Sequence, residues 1–147
     1  MNNVKTSDLK NRDLKLSIAY AIDVENKVSS FDNEMYIDLE FMNEFKNFEL
    51  KDRKTDYQFD FKKNFESIIT LAIPAGYKVS KLPTDLIVKE NNFDIAITFL
   101  KTDKEIFYKK SFIFKNAEIK AEEMNKWNSC IKNLVANYNQ QITLSKI

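Results

Sequence analysis

"IPAGYKVSKLP", residues 73–83, holds the single glycine of this 147-residue chain and both of its prolines. It follows "ESIITLA", where Ile69 and Leu71 share one side with Ile73, and Pro74 has no N–H to give to a ladder, so a strand should end there. Gly76 takes positive φ without a steric cost, and Leu82-Pro83 turns the chain again. The window therefore reads as an irregular crossing from one strand to the next, with Tyr77 and Val79 alternating in a short strand within it.

Working outward, period-two alternation recurs along the chain. In "DLKLSIAYAIDV" the residues Leu14, Leu16, Ile18, Tyr20, Ile22 and Val24 face one way, opposite Lys15, Ser17 and Asp23, which predicts a half-buried strand. "EMYIDLEF" and "TDYQFDF" repeat the pattern, one side dry and the other wet, as in antiparallel sheets. "LIVKENNFDIAITF" predicts two strands about Asn91 and Asn92, residues that tolerate positive φ and suit a tight hairpin. "EIFYKKSFIF" adds another strand after the polar turn "KTDK". In "FMNEFKNFEL" the helical spacing of Phe41, Phe45 and Phe48 leaves a helical turn and a loop both open.

After residue 120 the period lengthens. Met124, Trp127, Ile131, Leu134 and Tyr138 recur at three- and four-residue steps behind Glu122 and Glu123, predicting an amphipathic helix at about 121–138 that covers the sheet. "QITLSKI" follows as a short edge strand. Strands at roughly 8- to 12-residue spacing, seven or so in all, imply an antiparallel β-sandwich of immunoglobulin or fibronectin III type with a C-terminal helix. Residues 1–12 read as an N-terminal tail and 13–147 as a single domain, a size at which a core forms without staples.

Composition narrows the chemistry. The 23 basic and 22 acidic side chains nearly cancel, and Arg12 and Arg53 are the only arginines, which argues against nucleic acid as a partner. No apolar run has the length of a membrane span, and the N-terminus lacks the apolar core of a signal peptide, reading as a soluble start or as a cut into a longer protein. There is no histidine and only one cysteine, Cys130, so a disulfide, a CxxC knuckle and a Cys/His or Ser/His/Asp centre cannot be built from this chain alone. No cofactor is expected, and no metal.

Individual candidates are weighed against ordinary structural roles. Cys130 lies at the margin of the helix stripe and reads as a small buried hydrophobe. Asp32, Asn33 and Glu34 offer oxygen ligands for calcium but lack the spacing of a calcium loop, so a polar turn is expected. Tyr77, Tyr36 and Trp127 could form a sugar platform, although Trp127 belongs to the helix stripe. Lys109 and Lys110, like Lys62 and Lys63, read as solvated.

The stretch "IPAGYKVSKLP" resembles the "IP-x-GY-x-V-x-x-LP" segment of the β-domain of unknown function that follows the transglutaminase-like core in multidomain proteins of Bacteroidota. "MYIDLEF" is similar to that family's upstream strand, Arg53 sits where the family tends to have an arginine, and "WNSCIKNLVANYNQQITLSK" is similar to its closing helix and strand. The resemblance runs from about residue 13 to the end. It departs at "RKTDYQF", where many members have Arg-x-x-Pro.

The resemblance implies a sandwich appended to a catalytic or pseudo-catalytic core, without active residues of its own, and export to the periplasm or beyond. The first expectation is thus a non-catalytic accessory domain whose partner is the upstream transglutaminase-like domain or another protein, with Tyr77, Tyr36 and Arg53 as candidate contact residues. A glycan- or peptide-binding module would need an exposed aromatic patch or groove. An enzyme using carboxylates or lysine would need two acids facing each other across a cleft.

Overall fold

The computed structural model describes residues 2–8, 10, 11, 13 and 17–147. The fold is mainly β, with antiparallel sheets and one C-terminal helix. The largest strands are β6 (Phe65–Ala72), β8 (Leu86–Lys89), β9 (Phe93–Lys101) and β10 (Glu105–Phe114), hydrogen-bonded in the order β6-β10-β9-β8. A second four-stranded sheet has the order β3-β4-β12-β7, from β3 (Val28–Phe31), β4 (Glu34–Ile37), β7 (Tyr77–Lys81) and β12 (Ile142–Lys146). Two small pairs complete the strands: β1 (Asn2–Thr6) with β2 (Ile18–Ala21), and β5 (Tyr57–Gln58) with β11 (Glu118–Ile119).

Residues 73–83 are the link between the large sheets. The chain leaves β6 in the first, gives β7 to the second, and returns to β8 in the first. Tyr77 N–H donates to the Pro74 carbonyl at 3.1 Å, closing a turn whose third residue, Gly76, has φ +82°. Positive φ at that position is what a type II turn requires. The Gly76 carbonyl then accepts from Ile147 N–H at 2.9 Å, tying the turn to the end of β12.

Alternation sorts the first sheet into two faces. Its inner face carries Phe93, Ile95, Ile97, Ile106, Phe112 and Phe114, each at most 1% exposed. The 3-10 turn Ala121–Glu123 leads into helix α1 (Met124–Tyr138), which lays Trp127, Ile131 and Leu134 into the same core. Trp127 meets Phe93 edge-on at 5.0 Å between centroids, a favoured aromatic geometry. The second sheet joins through Ile37, Ile142 and Leu144, all buried.

Several expectations change. β12 is an interior strand between β4 and β7, with Ile142, Thr143 and Leu144 all buried, so it is not an edge. Hairpin β8–β9 forms as expected, yet neither Asn91 nor Asn92 is among the described residues with positive φ; Asp32, in the turn between β3 and β4, is. "TDYQFDF" supplies only the two residues of β5 as strand. The described residues hold twelve strands rather than seven or so, because short strands such as β1, β3 and β11 lie outside the alternating runs. The alternating N-terminal stretch is exposed on both faces of β2, where a half-buried strand was expected; Leu14, Lys15 and Leu16 lie outside the described residues. Asn2–Thr6, within the expected tail, pairs as β1.

Replacing Gly76 with alanine should cost about 1 kcal/mol through φ alone, since no atom lies within 4 Å of the added Cβ. Urea denaturation should show this loss, with Gly76→Asn falling between alanine and the native residue because asparagine tolerates positive φ better.

Candidate functional site

The connector from Asp38 to Leu50 is irregular, so its backbone polar groups need partners outside a ladder. Side chains from three directions supply them. Lys27 Nζ donates to Asp38 at 2.7 Å and to the Glu40 carbonyl. Trp127 Nε1 donates to the Phe48 carbonyl at 2.8 Å, and Asn128 accepts from Leu50 N–H at 2.7 Å while donating back to its carbonyl at 3.3 Å. Tyr138 Oη donates to the Glu44 carbonyl at 3.1 Å.

At the centre lies Lys110, expected on a solvated surface and instead 1% exposed. It occupies the inner face of β10, in step with Tyr108 and Phe112, and its ammonium donates to Glu40, Glu44 and the Met42 carbonyl. The Tyr138 ring lies 4.9 Å from the ammonium, and Tyr108 Oη donates to the second oxygen of Glu40 at 2.8 Å. Burial first, and the hydrogen bond to Glu40 next, push the Tyr108 phenol well above its ordinary range; burial, then the charges of Glu40 and Glu44, do the same at Tyr138. Glu40 and Glu44 do converge, but on an ammonium inside the protein. Their arrangement fastens the connector to the sheet.

The fastened connector forms one wall of a groove of about 830 Å³, with residues 57–63 and the start of β6 as the others. Phe45 stands in that wall at φ +59°, a conformation that costs a bulky side chain about 1–2 kcal/mol. Its ring is held at 5.2–6.5 Å from those of Phe48, Phe59, Phe112, Phe114 and Trp127. The "FMNEFKNFEL" stretch is thus a loop with a tight turn whose aromatics serve the core. Phe61, 62% exposed, adds apolar surface to the groove. Lys46, Lys62 and Lys63 lie along the groove, with Lys63 Nζ 6.0 Å from the Phe45 centroid. The acids in its lining are engaged elsewhere, Glu44 by Lys110 and Glu66 by Lys109 at 2.6 Å.

The sequence candidates do not gather into one place. Tyr36 pairs with Thr143 and Tyr77 with Lys146 across β12, which sets the two rings on opposite faces of the second sheet. Tyr36 Oη donates to Glu34, while Tyr77 packs against the core. Arg53 donates to the carbonyls of Thr55 and Asp56 at 3.0 and 3.2 Å and stacks 5.2 Å above Tyr57, a residue of the groove. Trp127 is fully buried, so no sugar platform includes it. Asp32 and Asn33 form the β3–β4 turn. Cys130 is buried, and burial raises its thiol to about 12.

A family model described as a domain of unknown function with a solved structure, DUF3858, matches residues 33–144. The chain belongs to the DUF3858 family. The match opens in the β3–β4 turn and closes in β12, so it takes in the first large sheet, the second without β3, the connector and the helix. A crystal structure of a candidate protease from Parabacteroides distasonis ATCC 8503 superposes on 63% of this chain with a TM-score of 0.52 and 13% identity, a likeness of fold alone. The chain spans about 18% of the length of that protein. No curated protein matches the sequence.

Lys110→Ala should destabilise the protein by about 3–5 kcal/mol, because Glu40 and Glu44 would lose their ammonium while remaining enclosed. Lys110→Met combined with Glu40→Gln and Glu44→Gln should recover most of that loss in urea melts. Cys130 should resist a thiol reagent at pH 8 in the native protein and react at once when unfolded; rapid native labelling would contradict its packing.

Proposed function

We propose that this DUF3858 domain is a non-catalytic accessory module of a larger, transglutaminase-like protein, and that it works by contact with a neighbouring domain. The supporting observation is a run of exposed apolar side chains before the family-matched segment. Ile18, Tyr20, Ile22, Val24, Val28 and Phe31 are each 46–72% exposed, and the first four alternate as in a strand suited to being covered. Apolar side chains scattered singly on a surface need no explanation, but six exposed ones within fourteen consecutive positions favour a covering partner.

The neighbouring domain is the favoured occupant because the fold recurs as a small share of a much longer chain in the Parabacteroides distasonis protein. The residues that would do the work are packing groups, Tyr20, Ile22 and Phe31 foremost, and their role is to fix the position of one domain on another. The groove is not required for this role.

Comparing the isolated chain with the longer product of its gene by amide hydrogen exchange tests the reading. Amides of residues 18–31 should exchange at least about tenfold more slowly in the longer protein. Ile22→Lys with Phe31→Lys should leave the melting of the isolated domain unchanged, since both side chains are exposed, and should abolish that protection. Equal exchange in the two proteins, or an upstream reading frame with no transglutaminase-like core, would refute it.

A further inference from the structure

A second surface has features that the accessory role does not use. β6 is an outer strand of the first sheet, eight residues long and paired with β10 without a bulge from Phe65 to Ala72. Among the described residues, no backbone group of 65–72 makes a hydrogen bond outside that pairing. Proteins usually blunt such an edge with lysine, proline or a bulge. β6 has none of these, and its one charge, Glu66, is engaged by Lys109. Open edges of this kind accept a further strand.

The groove lies at the start of this edge. Phe65 and Ser67, which face inward, and Glu66, which faces outward, all line it, so it meets the rim of the strand rather than one face of the sheet. Lys46, Lys62 and Lys63 are exposed there, and no carboxylate among the described residues forms an ion pair with any of them. Phe61 gives the same place an apolar surface. A second copy of the chain paired antiparallel through β6 would bring the acid-free turn Ile73–Gly76 towards these lysines and leave their charge uncompensated. A strand carrying its own acids would compensate it.

We propose that β6 and the adjoining groove bind an extended peptide segment by strand addition, with a bulky apolar side chain of the peptide beside Phe61 and acidic side chains over Lys46, Lys62 and Lys63. The strand runs antiparallel to β6, as every pair in this fold does, which puts the acids at the C-terminal end of the bound segment. Backbone hydrogen bonds provide the attachment and the lysines set its register. The groove and β6 share no residue with 18–31, so this binding is tested independently of the accessory role.

The test uses the full 147-residue chain and a synthetic peptide, Ac-STVTVFEE-NH2, followed by calorimetry and amide hydrogen exchange. Binding should slow exchange within residues 65–72, weaken as salt is raised, and fall about tenfold in Lys62→Glu with Lys63→Glu. The charge-reversed peptide Ac-STVTVFKK-NH2 should bind that double variant better than the native chain, a rescue that a merely misfolded variant would not give. Absence of binding, binding without protection of β6, equal affinity for the double variant, self-association of the chain through β6, or displacement of the peptide by polygalacturonate, an acidic glycan, would each overturn the proposal.

Discussion

An ammonium enclosed in protein tolerates very few arrangements around it. Lys110 points inward because β10 alternates and its neighbours on that face, Tyr108 and Phe112, belong to the core. Removing the charge from water is costly unless partners surround it, and the chain supplies two carboxylates and a carbonyl from the connector. The connector must therefore come to the sheet. Its course from Asp38 to Leu50 has no ladder to guide it, and the lysine takes the place of one.

Consequences spread from that attachment. With Glu40 and Glu44 held, Phe45 is carried into the aromatic cluster, where contacts with five rings offset its backbone strain. Trp127 closes the cluster from the helix side and also holds the connector through the Phe48 carbonyl. Sheet, helix and loop thus share one set of contacts. These contacts tie the groove wall to the core behind it, which favours recognising a ligand without first ordering a loop.

The molecule presents two unlike surfaces. The stretch from Ile18 to Phe31 exposes apolar side chains suited to lasting contact with a covering domain. The β6 rim combines unpaired backbone groups with lysines, suited to a strand whose charge pattern matches. The crossing at residues 73–83 joins the sheet that holds Val28 and Phe31, in β3, to the one that holds β6.

Two-residue alternation, the later helical period and the proline settled the strands of the first sheet, the helix and the end of β6 before Pro74, because each rests on local backbone rules that act over a few residues. Lys110 and its carboxylates were not legible: "FYKKSF" gives two lysines of the same appearance, and only the facing of the strand and a connector about 70 positions away distinguish the buried one. Clusters such as Phe45 with Trp127 join distant segments and leave no periodic trace. Burial of the N-terminal strand was mispredicted for a related reason, since alternation records that a face is suited to being covered and does not say by what. Local pattern therefore determined which segments are strand and helix, while the tertiary structure decided which charge is enclosed, where the groove opens and which edge stays free, because those depend on long-range neighbours rather than on sequence spacing.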